Sequence, residues 1–233
     1  MGFLDILWPR VCLGCNILLP STSQYAYLCI FCAANIPELK NQSCIGCGNQ
    51  RADGSTCHKC RPDWHITACY AVAPYGAPPI ERIVTTLKYR FIRDVANDMA
   101  ALMAKHCGVL AKNKIITFVP TSTHRQRWRG FNQSELIAKK LSEITNTRCI
   151  PLLTKRKGFG PQVKTAGRGE RLQNIQGAHA ILANEVSRVS GQNIILIDDV
   201  VTTGATLNDC ARALKEAGVR SITGLCFAKA EFK

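Results

Sequence analysis

The run "NIILIDDVVTTGATL", Asn193 to Leu207, decides how the rest of the chain is read. Four branched or long apolar residues, Ile194 to Ile197, read as a strand. They lead into two adjacent carboxylates, Asp198 and Asp199, and then into a turn through Thr202, Thr203, Gly204 and Thr206. Beyond the turn Leu207, Cys210, Ala211 and Leu214 share one helical face, and Gly218 ends that helix. Strand, acidic pair, turn and helix make one βα unit. The turn suits an anion, because free N–H groups, the helix dipole and hydroxyls converge there. The acids beside it need donors or a cation, because a carboxylate only accepts hydrogen bonds.

Strands alternate with helical patterns around this unit. "CYAVAPY" from Cys69 reads as a strand, Ile80, Ile83, Val84 and Leu87 fall at helical spacing, and so do Val95, Met99, Leu102 and Met103. "IITFVP", 115–120, is a short buried strand. The next helix takes Asn132 as N-cap, Glu135 at the capping-box position, and Leu136, Ile137, Leu141 and Ile144 as its apolar stripe. "SITGLCFA" supplies a last strand. The fold class implied is α/β, a mainly parallel sheet covered on both faces, with ligands bound outside the carboxyl ends of its strands. Residues 154–177 break the pattern with six Lys+Arg and one acid. So long a non-periodic stretch reads as a mobile functional loop, against a merely solvated basic insertion.

The first 68 residues have another texture. Eight of the 13 cysteines form Cys-x-x-Cys pairs, Cys12/Cys15, Cys29/Cys32, Cys44/Cys47 and Cys57/Cys60. That spacing lets both sulfurs of a pair reach one tetrahedral ion, and four sulfurs close a structural Zn²⁺ site. "CLGC" at 12 and "CIGC" at 44 share a knuckle glycine and are each followed by a plainer pair. This weak repeat implies two sites, Cys12, Cys15, Cys29, Cys32 and Cys44, Cys47, Cys57, Cys60, with an interleaved pairing left open. A disulfide framework suits a secreted domain, and a redox dithiol needs one such pair rather than four. His58 lies inside the last pair as a possible substitute ligand or a bystander. Cys69, Cys107, Cys149, Cys210 and Cys226 sit in apolar segments and are expected as buried thiols. The division expected is 1–68, a double zinc ribbon, and 69–233, the α/β domain.

At 233 residues, 46% hydrophobic and 20% charged, the chain can bury one substantial core plus a small accessory unit. The formal charge of +14 is uneven: residues 1–68 hold 5 Lys+Arg against 4 Asp+Glu, and residues 69–233 hold 25 against 12. Each filled four-thiolate site sums to −2, which lowers +14 to about +10 and confines the excess further to the larger part. Such an excess suits polyanions, although a protein can also be merely basic. "MGFLDILWPR" lacks the basic leader and apolar length of a secretory signal, Ile6 stands where myristoylation wants Ser or Thr, and no segment offers about 18 uninterrupted apolar residues. The expectation is a cytoplasmic protein without a membrane span.

No Gly-x-x-x-x-Gly-Lys-[Ser/Thr] accompanies the acidic pair, which sets aside a P-loop ATPase. A ribose 5-phosphate presents a diol and a phosphate at opposite ends, so Asp198 and Asp199 can hold hydroxyls or Mg²⁺ while Thr202 to Thr206 hold the phosphate. At this point "IILIDDVVTTGATL" resembles the signature of type I phosphoribosyltransferases. The resemblance implies that Asp198, Asp199, Val200, Val201, Thr202, Thr203, Gly204, Ala205 and Thr206 bind phosphoribosyl pyrophosphate with Mg²⁺. It further implies that "VPTSTHRQRWRGFNQ" supplies Arg125, Arg127 and Arg129 near the diphosphate, and that 154–177 is a flexible hood. A solvated surface turn is the plainer reading of those arginines.

More narrowly, four knuckles, "LKYR", "RGFNQSELIAKKL", Arg171 and Asn174 as "R-x-x-N", and the phosphoribosyl signature together resemble the ComF family of competence proteins, of ComFC type and including GntX-like members. The resemblance covers essentially the whole chain. It implies a cytoplasmic bacterial protein, able to work at the inner face of the membrane through partners, that helps bring transforming single-stranded DNA inside beside other DNA-uptake proteins such as a helicase-like translocase. Arg129, Gly130, Phe131, Asn132 and Gln133 match the family's arginine–glycine motif, and Gln162 falls near its hood glutamine. His179 departs, standing after "GA" where phenylalanine is expected, as does "AGRG" in the hood.

Two functions follow. As a binding module, the chain would hold the nucleotide precursor while Lys88, Arg90, Arg93, Arg127, Trp128, Arg129, Lys155, Arg156 and Lys157 contact single-stranded DNA, with rings among them stacking on bases. Some rings, Phe131 in particular, read rather as core. As a phosphoribosyltransferase, Asp198 and Asp199 would be the catalytic acids, arginines and metal would stabilise the leaving diphosphate, and the acceptor is unidentified. No obvious general base appears; His124 and Glu135 are candidates by sequence proximity alone, and otherwise a surface histidine and a helix cap.

Overall fold

The computed structural model describes residues 9–111, 114–156 and 176–230. Helix α1, Ile30–Ala34, lies in the cysteine-rich part. The larger part then runs β1 Ala68–Pro74, α2 Pro78–Tyr89, α3 Val95–Cys107, β2 Ile115–Phe118, α4 Thr123–Arg129, α5 Gln133–Thr145, β3 Leu153–Lys155, β4 His179–Ile181, α6 Val186–Val189, β5 Asn193–Val201, α7 Ala205–Glu216 and β6 Ser221–Lys229. Four strands form a parallel sheet in the order β1-β6-β5-β2. A further parallel bridge at Ile116 and Cys149 extends it past β2. All carboxyl ends therefore share one rim. β3 and β4 make a separate antiparallel pair, Lys155 opposite His179. The basic stretch thus opens as a strand, and its residues 157–175 lie outside the described residues.

Side chains alternate across β5, so two cores flank the sheet. Ile195 and Ile197 join α2, α3 and α5 through Ile83, Leu87, Met99, Leu102, Ile137 and Leu141. Ile194 and Leu196 join α7 through Leu207, Cys210, Ala211 and Leu214. The cysteine-rich part enters both. Leu13, Leu19 and Leu28 from the first repeat complete one core, and Ile45, Trp64 and Ile66 from the second complete the other.

The expected stripe of α5 is shorter than its periodicity. Ile137 and Leu141 are fully buried, but Ile144 is 53% exposed, because the helix ends one residue later, beyond the sheet. Glu135 pairs with Lys139, 2.7 Å away. Asn132 caps the helix as expected, accepting from the Ser134 N–H at 3.2 Å and donating to the Val119 carbonyl at 3.0 Å. Four of the five isolated thiols are buried; Cys149 is only half-buried, being on the edge bridge outside β2.

Candidate functional site

A polar cavity of about 340 Å³ opens on the rim where the parallel strands end. β5 supplies Asp198 and Asp199, the loop after β2 supplies Thr121 and Ser122, and α4 supplies Arg125 and Arg129. The start of α5 adds Ser134, the end of α2 adds Lys88 and Tyr89, and the hairpin adds Lys155 and His179. The two acids have different partners. Asp198 Oδ1 accepts from Ser134 Oγ and from the Asp199 N–H, both at 2.9 Å. Asp199 Oδ2 lies 2.9 Å from Lys88 Nζ, and its Oδ1 accepts the Val200 N–H at 2.7 Å. Burial, and then the neighbouring Asp199 charge, push the Asp198 carboxyl up to about 7 against the pull of Lys88 and Ser134.

The turn after β5 forms a smaller cup of about 30 Å³, contiguous with that floor and lined by Asp198 and residues 200–207. Gly204 begins α7 with φ +78°, a left-handed conformation that glycine adopts without a Cβ penalty. A Cβ there would lie 2.6 Å from Ile45 Cγ1 and 3.0 Å from Trp64 Cζ3, so the second cysteine repeat backs this turn directly. His65 and Asp63 hold the same helix, through Asn208, at 2.7 and 3.0 Å.

The sequence after β2 is a short helix rather than an irregular turn. Ser122 accepts the Arg125 N–H at 3.3 Å and starts it, and Gly130 at φ +75° ends it. This presents Arg125 and Arg129 to the cavity and leaves Arg127 and Trp128 exposed. Arg129 lies 5.5 Å over both Tyr89 and Trp128, and its buried Nε has no hydrogen-bond partner among the described residues. Burial and then Arg125 hold its guanidinium below the ordinary value, and the same two causes lower Lys155. Cations disfavoured in this way are relieved by an anion.

At the cavity mouth Tyr89, Phe91 and Trp128 cluster, with Phe91 and Trp128 edge to face at 5.2 Å. Arg90, Arg93, Arg127 and Arg156 are exposed. Arg93 donates to the Gly130 carbonyl and stacks at 5.2 Å on Phe131, which is core. Lys88 faces inward to Asp199 instead of lying on the open surface. Lys157, Gln162, Arg171 and Asn174 lie outside the described residues. His124 is exposed on α4. Sequence reasoning missed Ser134 and gave His179 no role; both reach the cavity from elements remote from β5, and nothing local to either residue signals that.

The cysteines assemble in sequential, not interleaved, groups: Cys12, Cys15, Cys29, Cys32 and Cys44, Cys47, Cys57, Cys60, each with its sulfurs within 4.8 Å of one another. His58 is exposed and outside both. Cys15 and Cys29 sulfurs are 3.8 Å apart, as are those of Cys47 and Cys57. Sulfurs at about 2.3 Å from a tetrahedral ion stand about 3.8 Å apart, so both groups have the dimensions of structural zinc sites. Burial opposes ionisation of Cys12 and Cys44, yet N–H groups donated to them, led by those of Cys29 and Cys57, outweigh it and lower the thiols to about 7 and about 6. The knuckle glycines leave room for the sulfurs: a Cβ at Gly14 would meet Cys32 Sγ at 2.6 Å, and one at Gly46 would meet Cys60 Sγ at 2.7 Å.

Comparison with known proteins agrees with both parts. The Double zinc ribbon domain model matches residues 3–61, and the Phosphoribosyl transferase domain model matches residues 129–231. The chain is 25% identical to Competence protein F of Haemophilus influenzae, covering 85% of this chain and 95% of that one. It is 26% identical to Competence protein ComFC of Bacillus subtilis, covering 82% and 79%. With DNA utilization protein YhgH of Salmonella typhimurium it shares 27% identity over 95% of this chain and 97% of the other. A double zinc ribbon, a phosphoribosyltransferase-like sheet and end-to-end similarity to these relatives support the identification of the chain as a ComF-family competence protein.

Proposed function

We propose that the protein is a cytoplasmic DNA-uptake factor of natural transformation that binds single-stranded DNA and holds phosphoribosyl pyrophosphate with Mg²⁺. The observation that carries the ligand is the join between the acidic floor and the turn: Asp198 lines both the large cavity and the small cup. A ribose across that join would put its diol or its metal on Asp198 and Asp199 and its phosphate among Thr202 to Thr206. Arg125, Arg129 and Lys155 would meet the diphosphate. The donor set suits Mg²⁺, a hard cation that takes one or two carboxylates and keeps several waters. Thermal unfolding with and without Mg²⁺ and phosphoribosyl pyrophosphate tests this: a rise in the wild type that Asp198→Ala abolishes is expected, and no rise in either rejects the ligand.

For DNA, the support is the cation and ring surface at the cavity mouth and the names borne by the relatives. Trp128→Ala should weaken oligonucleotide binding by about 1–3 kcal/mol with the salt slope kept, whereas Arg127→Ala should reduce that slope by about one. Binding that ignores salt would remove the nucleic-acid reading. No helix among the described residues is long and apolar enough to cross a membrane; work at the membrane through partners such as a translocase belongs to the same proposal. Active phosphoribosyl transfer is the second reading, favoured by the Nε of Arg129, which is beside Arg125 and has no hydrogen-bond partner among the described residues.

A further inference from the structure

His179 is the deepest titratable side chain of the cavity wall, 1% exposed, and the reading above leaves it idle. Its Nδ1 lies 2.9 Å from Asp209 Oδ2. That carboxylate also accepts the His179 N–H at 2.8 Å, the Gly177 N–H at 2.7 Å and Arg212 Nε at 3.0 Å. Burial pushes the Asp209 carboxyl up, but the bonds from His179, Gly177 and Arg212 outweigh it and leave the group below the ordinary carboxylate range. An ionised carboxylate cannot donate, so the ring hydrogen shared with it sits on Nδ1, and in the neutral imidazole Nε2 is then the acceptor. Nε2 is buried and has no hydrogen-bond partner among the described residues. His179 lines the cavity, so a hydrogen brought in through it can satisfy that acceptor.

The charged groups around the ring come from three elements. Lys155 stands across the hairpin from His179, and Arg125 of α4 lines the same cavity and acts on Lys155. From α7 come Asp209 and Arg212, whose Nη2 donates to the His179 carbonyl at 3.1 Å. The backbone and Nδ1 of His179 are therefore fixed by α7, and the ring atom without a role is the one that a ligand can use.

We infer that His179 Nε2, oriented by Asp209, is the proton acceptor for an N–H or O–H nucleophile that enters this cavity beside the phosphoribosyl group. The inference rests on the phosphoribosyl pyrophosphate reading and gives it the general base that neither His124 nor Glu135 supplies. The nucleophile's lone pair forms the bond to ribose C1 while the bond from C1 to the diphosphate oxygen breaks, its electron pair leaving with the diphosphate. The hydrogen of the nucleophile passes to Nε2, and Asp209 stabilises the imidazolium until it returns the proton to water.

Ammonia serves as a minimal N–H probe. Release of pyrophosphate from Mg²⁺ phosphoribosyl pyrophosphate is followed in ammonium buffers across pH, with calorimetric binding of the same ligand in parallel. His179→Asn keeps a donor near the position of Nδ1 and deletes Nε2. It is expected to unfold with the wild type and bind the ligand within about twofold, yet, with rates divided by the free ammonia concentration at each pH, to lose about 100-fold in release rate together with the acid-side fall of the profile. A variant that keeps rate and profile, or a wild type that binds the ligand and releases nothing above the buffer blank, overturns the inference and leaves the binding reading intact. A wild type with no calorimetric binding removes that reading and this one with it. If His179→Asn does not fold, the ¹⁵N imidazole spectrum of the wild type decides: hydrogen on Nδ1 and a bare Nε2 support the assignment, and the opposite tautomer overturns it.

Discussion

At the scale of single residues, Asp198 carries the sharpest consequence. It is held by Ser134 and by the Asp199 N–H, and burial beside a second carboxylate favours its protonated form up to about 7. An unfolded aspartate titrates near 3.8. Between those values the folded chain binds more protons than the unfolded one, so this group's contribution to stability is fully present below about pH 4 and is lost as pH rises through about 7. Asp198→Asn retains the accepting oxygen and cannot ionise. Its unfolding free energy, from guanidinium titrations at a series of pH values, should therefore decline less steeply over that window than that of the wild type. Equal slopes would show that Asp198 is already ionised in the empty cavity. The acidic pair itself was legible in the sequence. Its partners were not, because Ser134 and Lys88 come from α5 and α2, distant in the chain.

Among elements, two joints tie the cysteine repeats to the larger part. The first ties the first cysteine repeat to α3. Asp98, 2% exposed, accepts the Ala26 and Tyr27 N–H groups at 2.7 Å each, one on each oxygen. In Asp98→Asn one of those N–H groups would face an NH₂, leaving a buried donor unsatisfied. The variant should lose about 1–3 kcal/mol by chemical denaturation. The second joint is the start of α7. Gly204→Ala would require a left-handed backbone at roughly 1–2 kcal/mol and would drive a methyl into Ile45 and Trp64. It should lower the melting temperature and weaken Mg²⁺ phosphoribosyl pyrophosphate binding together; unaltered affinity would show that the turn does not hold the phosphate. Helix α4 was hidden in the sequence because its seven residues bury no apolar face, so no periodicity marks it.

For the whole molecule, the two cysteine repeats sit on opposite faces of one sheet, each completing a core it shares with the larger part. Metal in the second site is thereby connected through Ile45 to the turn at Gly204, whereas the first site is connected to α3 through Asp98. Metal analysis should find two zinc ions per chain. Cys57→Ser, which opens the second site, should weaken Mg²⁺ phosphoribosyl pyrophosphate binding by about tenfold or more. Cys15→Ser, at the exposed corner of the first site, should leave that affinity close to wild type while lowering thermal stability. Equal losses of affinity in both variants would refute the connection through Ile45.

By itself the sequence determined the α/β class, the two sets of cysteines and the acidic pair with the turn that follows it, because each is written in short-range spacing: period-two and period-3.6 patterns, Cys-x-x-Cys, and consecutive residues of one βα unit. Tertiary structure bore out the closing of each cysteine repeat on itself, and it alone decided that the second repeat backs the turn at Gly204 and that His179 meets Asp209 at the cavity wall, two relations between distant parts of the chain. The last two relations join residues 30 to about 150 positions apart, and at such distances only packing, which no local pattern records, settles which side chains meet.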